Sequence, residues 1–167
     1  SPFALAEDPS LGSAEQVADR AKAVWESGEI NPALEILDRG IQEHPHALTL
    51  QKLRADILTT SRGPREAVEA YELVLAKAPT ALDVRWAKWS VLIRSGQGEG
   101  SIAELRRIAE IDAQNPLIHL RLAQERYRVG AGTLLDIINA QANLTRARST
   151  FIRAKYDSMI AYAQLHA

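Results

Sequence analysis

Pro45 and Pro79 lie 34 residues apart, and the residues around them correspond place by place through three consecutive blocks, 14–47, 48–81 and 82–115. The eighth place of each block holds Ala21, Ala55 and Trp89, and the twentieth holds Ala33, Ala67 and Ser101. The twenty-fourth holds Leu37, Tyr71 and Leu105, and the thirty-second holds Pro45, Pro79 and Ala113. Gly28 and Gly96 share the fifteenth place, where a turn falls. A unit this short cannot enclose a core, so each block must bury its apolar faces against its neighbours. Within a block the apolar residues recur at helical intervals, as at Ala33, Leu34, Leu37 and Ile41. No stretch alternates with period two for long enough to suggest a sheet. Asn31-Pro32 and Asn115-Pro116 each offer an N-cap side chain before a proline at the first helical position, and Gly63-Pro64 does similar work. Ser95 to Gly100 holds three glycines and reads as the most mobile connection before residue 130. The fold class is all-α.

A 34-residue period with this order of small, large and proline places resembles the tetratricopeptide repeat, a helix–turn–helix unit. The resemblance covers residues 14–126. It implies a right-handed superhelix of three repeats plus a partial fourth, in which Pro116, Ala123 and Gly130 take places one, eight and fifteen. It also implies a partner-binding groove lined by places two, five, nine, twelve and thirteen of each first helix. Those places give Glu15, Ala18, Lys22, Trp25 and Glu26, then Thr49, Lys52, Asp56, Thr59 and Thr60. The third block gives Asp83, Trp86, Ser90, Ile93 and Arg94. Of these, Lys22, Trp25, Lys52, Asp56, Trp86 and Arg94 are the expected contacts for a peptide of aromatic or acidic character. The alternative for Trp25 and Trp86 is packing against the next repeat. Asp56 stands where the clamp for a chaperone C-terminal carboxylate needs Asn, so that ligand is not expected. Trp89 replaces the small residue of the eighth place: either the helices splay there, or Trp89 fills the space left by Ser101.

The register fails after Gly130. A single helix runs from Thr133 to about His166 with no Pro or Gly, about 51 Å long at 1.5 Å per residue. It carries a heptad seam, with Ile137, Leu144, Phe151, Ser158 and Leu165 at one position and Ala140, Ala147, Ala154 and Ala161 three residues later. Alanine at that second position admits a close partner helix, so Ala147→Leu is expected to overpack the seam by about 1–3 kcal/mol. Ile138, Ile152, Tyr156 and Met159 form a second apolar stripe.

Several residues of this segment, Tyr127-Arg128-Val129-Gly130, Thr133, Asp136, Ala140-Gln141, Ala154-Lys155-Tyr156 and Ala163-Gln164-Leu165, resemble the last helical hairpin of TolC-type outer-membrane efflux proteins. The likeness spans 127–165. It implies a hairpin tip formed by Tyr127, Arg128, Gly130, Thr133 and Asp136, which docks a periplasmic efflux or secretion adaptor. Asn139 stands where some members carry a second acidic residue and Gly132 where some carry a basic one, so charge constriction of an aperture is in doubt.

The remaining composition narrows the function. A net charge of -1 gives no electrostatic case for nucleic acid or an anionic membrane. No apolar run approaches a membrane-spanning length. Cysteine is absent, and His44, His46, His119 and His166 are too scattered for a zinc site, so no metal or cofactor is expected. No nucleophile or phosphate-loop motif occurs, and the chain reads as non-enzymatic. Ala4-x-Ala6 followed by Glu7-Asp8-Pro9 looks like the end of a signal peptide, so residues 1–13 read as a leader and the location as periplasmic or otherwise exported. The expected organisation is therefore a leader, three repeats to residue 115, and a helical hairpin over 116–167. The expected function is a protein-binding scaffold. The rival is structural self-assembly through the heptad helix or the solenoid ends.

Overall fold

The computed structural model describes residues 12–165, and among them it contains eight α-helices and no strand. Residues 1–11, with Ala4-x-Ala6, and His166 lie outside the described residues. The helices are α1 (Ala14–Glu26), α2 (Ile30–Glu43), α3 (Leu48–Ser61), α4 (Pro64–Lys77), α5 (Leu82–Arg94), α6 (Gly98–Ile111), α7 (Pro116–Arg128) and α8 (Leu134–Leu165). Every start from α1 to α7 recurs 34 residues later in its counterpart, so the sequence period is a structural period. The chain forms two compact units, one ending at Ser95 and one beginning at Gly96.

In the first unit α1 pairs with α2 and α3 with α4, and α3 also packs on α1, α2 and α5. The periodic small places sit at these crossings. Ala21, Ala33, Ala55 and Ala67 are all fully buried, and Leu37 and Tyr71 fill the space beside them. Gly40 of α2 is buried too, and a Cβ built there would lie 2.5 Å from Val17 Cγ1, so its missing side chain sets how closely α2 approaches α1. Lys88, although buried, pairs with Glu72 at 3.1 Å. In the second unit α6 packs on α7 and α7 on α8. Ser101 is fully buried, and its hydroxyl donates to the Gly98 carbonyl and to Glu125, each at 3.0 Å. Glu125 also accepts from Arg128 at 2.9 Å.

The caps depart from the sequence pattern in part. Asn115 caps α7, accepting from the Leu117 N–H at 3.1 Å, and Pro64 opens α4 behind Gly63. Asn31 does not cap α2. That helix begins two residues earlier than such a cap would place it, at Ile30 with Glu29 at the N-cap, and Asn31 Oδ1 instead accepts from Arg62 at 3.0 Å. The glycine-rich segment is also shorter than its composition suggests. Gly98 and Gly100 lie in the first turn of α6, where a Cβ on Gly98 would sit 2.5 Å from Val129 Cγ1. Glycine there serves close approach rather than a long loop.

One hydrogen bond repeats with the fold although no residue type repeats with it. Gln51 Nε2 donates to the Pro45 carbonyl at 2.9 Å, Arg85 Nε to the Pro79 carbonyl at 2.8 Å, and His119 Nε2 to the Ala113 carbonyl at 3.0 Å. In each case the fourth place of a first helix closes the turn behind the preceding unit.

Gly40→Val is expected to destabilise the chain by about 1–3 kcal/mol through overlap with Val17, more than any gain in helix propensity returns. Urea unfolding followed by circular dichroism measures it, and an unchanged midpoint would mean that α1 and α2 are not held at this distance.

Candidate functional site

The predicted groove residues sit on α1, α3 and α5, all within the first unit. Lys52 Nζ lies 2.6 Å from Asp83 Oδ2, an ion pair that ties α3 to α5 across two repeats. The hydrogen bond from Lys52 holds the Asp83 carboxyl below its ordinary range, and the same bond raises Lys52. Asp56 accepts from the Tyr71 hydroxyl at 2.6 Å. Burial, reinforced by that bond, pushes the Tyr71 phenol well above its usual value. Arg94 is exposed, close enough to Tyr71 to oppose that rise. Lys22 pairs loosely with Glu26 at 3.9 Å.

Both groove tryptophans are half-buried. Trp25 packs against the core of the first unit. Trp86 meets Trp89 edge to face, with ring centroids 5.3 Å apart and planes at 88°. The large residue at the eighth place of the third repeat is thus met by a second aromatic ring, an arrangement worth about 0.5–1.5 kcal/mol beyond its buried area. On α3 and α5, half-buried aromatic rings and charges engaged by neighbours thus stand within one unit. Tyr71 is the member that sequence reasoning missed. It occupies a core place of the repeat, and nothing in the pattern shows that its hydroxyl reaches the groove.

The tip residues span the α7–α8 connection: Tyr127 and Arg128 end α7, Gly130 and Thr133 lie in the turn, and Asp136 is in the first turn of α8. Gly130 adopts φ +76°, a conformation that favours glycine. Thr133 and Asp136 form a capping box at the start of α8: the Thr133 N–H and hydroxyl donate to Asp136 Oδ2 at 2.8 and 2.9 Å, and the Asp136 N–H donates back to Thr133 Oγ1 at 3.2 Å. The two backbone and side-chain donors of Thr133 hold the Asp136 carboxyl below its ordinary range. The Thr-x-x-Asp spacing before an apolar run is a sequence signal for this cap. Around the turn Tyr127, Val129, Leu134 and Leu135 are all exposed, and Arg128 turns to Glu125.

The heptad seam is buried over only part of its length. Ile137, Ala140 and Leu144 pack with Leu120 and Ala123 of α7. Because α7 has 13 residues and α8 has 32, α8 runs on past its partner. Ala147, Phe151, Ala154 and Ala161 are exposed, Phe151 at 71 %, and the side chain of Leu165 lies outside the described residues. Among the described residues nothing packs against Ala147 for a larger side chain to overpack.

Among the described residues no cluster of three or more His, Cys, Asp or Glu forms, and no helix is long and apolar enough to cross a membrane.

An array of two-helix units with a polar and aromatic face defines a helical-repeat protein. Solved structures of MamA share this fold: one crystal structure of MamA superposes with a TM-score of 0.69 at 12 % identity, covering 87 % of this chain and 83 % of that one. A MamA RS-1 ArsTM double mutant gives 0.65 at 16 %, covering 84 % and 79 %. A MamA fragment, 41-end, from Desulfovibrio magneticus RS-1 gives 0.60 at 17 %, covering 82 % and 75 %. At these identities the likeness speaks to fold. No protein-family model and no curated protein matches the chain.

Two outcomes are expected. Thr133→Ala should bring the Asp136 carboxyl back up toward the ordinary value of about 4, read by NMR titration. Since the folded value is depressed, the cap's contribution is present above the unfolded carboxylate value and lost as pH falls through the folded one. An unmoved Asp136 titration would show that the capping box is not populated. Ala147→Leu should change the stability of dilute protein by less than about 0.5 kcal/mol, as for other exposed positions. A loss of more than about 1 kcal/mol in urea unfolding would place a packed neighbour against Ala147.

Proposed function

We propose that this chain is a non-enzymatic scaffold that captures a protein segment on the shared face of α1, α3 and α5. The observation that carries the reading is the pair of half-buried tryptophans set among charges already fixed by the Lys52–Asp83 and Tyr71–Asp56 contacts. Interface anchors are enriched in Trp, Tyr and Arg, and side chains held before binding lose little conformational entropy when a ligand arrives. Arg94 and Lys22 are the exposed cations of the face, so an extended segment with an aromatic or acidic side chain is the favoured ligand. Export is the setting that Ala4-x-Ala6 supports.

A second docking surface is favoured by one observation: four exposed apolar side chains surround the Gly130 turn. In this reading the tip of the α7–α8 hairpin binds an efflux or secretion adaptor, in keeping with the resemblance of residues 127–165.

Selection of random peptides on the immobilised full chain separates the two. Trp86→Ala is expected to weaken the selected peptides at least tenfold, whereas Tyr127→Ala with Leu135→Asp leaves them unchanged. The reverse pattern selects the tip and sinks the groove. Selected peptides insensitive to both changes would remove both surfaces.

A further inference from the structure

The first unit has a second recess, away from the tryptophan face. Helices α2 and α4 do not pack on each other; α3 lies between them. The space they leave is a groove of about 650 Å³. Its apolar lining is Leu34, Leu58 and Ala70, all buried at the floor, and Leu73, which is 66 % exposed. Four carboxylates line it, Glu35, Asp38, Glu66 and Glu69, against two cations, Arg54 and Arg62. Arg54 is engaged by Asp38 at 2.6 Å and Arg62 donates to Asn31 at 3.0 Å. Glu35 and Glu66 make no ion pair among the described residues. Arg65 pairs with Glu69 at 3.0 Å and stands within electrostatic reach of Glu66, which leaves Glu35 as the groove carboxylate with no basic partner among the described residues. The groove therefore presents a small apolar surface with a slight excess of negative charge.

The overhang of α8 has the opposite character. From residue 145 to 165 it holds Arg146, Arg148, Arg153 and Lys155 against Asp157 alone. Arg148, Phe151, Ile152, Lys155 and Met159 are spaced i, i+3, i+4, i+7 and i+11, which places them on one side of the helix. All five are exposed, and neither Arg148 nor Lys155 has a carboxylate partner among the described residues. This face is apolar with positive charge set into it. Residues 146 to 160 span about 21 Å, and α2 and α4, at 14 residues each, offer the same length. Pairing of two overhangs through this face would oppose Arg148 and Lys155 to like charges.

We propose that the occupant of the α2–α4 groove is the α8 overhang of a second copy of this chain. The apolar side of the helix covers Leu58, Ala70 and Leu73 while Arg148 and Lys155 meet Glu35 and Glu66. The contact joins two different surfaces, so each copy offers one helix and one groove, and association continues head to tail unless it closes into a ring. The proposal does not depend on the peptide-binding reading: Arg54, Leu58 and Arg62 face the other way along α3 from Lys52 and Asp56.

Light scattering after size exclusion, on the full chain over a hundredfold concentration range at low salt, tests it. The mass is expected to climb above the 18.4 kDa of one chain as concentration rises, and to fall back in high salt, where surface charge pairs are screened. R148E/K155E and E35K/E66K should each stay at one-chain mass across the range, with circular dichroism melts like the parent's. An equal mixture of the two variants should associate again and grow with concentration, because each variant's helix then meets a groove of opposite charge on the other: the unaltered pair directly and the altered pair with both charges exchanged. E35Q/E66Q, which adds no positive charge, should weaken association at least tenfold. The proposal is overturned if the parent stays at one-chain mass throughout. It is equally overturned if the groove variants assemble like the parent, which would place α8 elsewhere, or if the mixture fails to associate. Loss of Trp86-dependent peptide binding would leave these results unchanged.

Discussion

Close approach of helices at fully buried small side chains is the contact on which everything else rests. Ala21, Ala33, Ala55 and Ala67 are wholly enclosed, and Gly40 lets α2 approach α1 beside Val17. Each helix pair is too thin to bury its own apolar surface, so stability comes from pressing one unit onto the next. Small residues at the crossings allow that approach, and large ones at the twenty-fourth place, Leu37, Tyr71 and Leu105, fill the remaining space. Close packing in turn brings the fourth place of each first helix within reach of the carbonyl behind it. Gln51, Arg85 and His119 make the same bond with three unlike side chains. What the position requires is a donor of sufficient reach, not a residue type.

The same stacking creates the surfaces proposed above for binding. Holding α1, α3 and α5 side by side lines up Trp25, Lys52, Asp56 and Trp86, and their charges are satisfied by neighbours rather than left for a ligand to pair. Keeping α2 and α4 apart leaves an acidic recess over α3. A single architectural rule thus gives one small unit two surfaces of different chemistry. The second unit adds a helix that the described residues cover only as far as Leu144, because α7 is less than half as long as α8.

Much of this was legible in the residues. The 34-residue period predicted each helix of the first three repeats, because small side chains and turn glycines are needed at fixed places whatever surrounds them. The long final helix followed from the absence of Pro and Gly after Thr133. The cap at Asn31 did not follow. Asn31 has the right residue type, but a longer-range bond to Arg62 competes for its side chain, and the helix starts two residues sooner. Ser95 to Gly100 misled for a similar reason. Glycine signals freedom when it stands alone, yet Gly98 is there because Val129 leaves no room for a Cβ. In both cases the deciding neighbour lies about 30 residues away along the chain.

By itself the sequence determined the helical class, the repeat register, the turn glycines at residues 28, 96 and 130, and which residues share a helix face. These depend on backbone preference and on a periodicity that local physics imposes. Tertiary structure alone decided which of those faces are covered. The seam from Ile137 to Leu165 is uniform as a pattern, but its burial ends at Leu144, because burial is set by the length of α7. Trp86 is anchored by Trp89, Asp56 is claimed by Tyr71, and the carboxylates of α2 and α4 come to line one groove. Such partnerships depend on where two helices meet in space, and no spacing along a single helix encodes that.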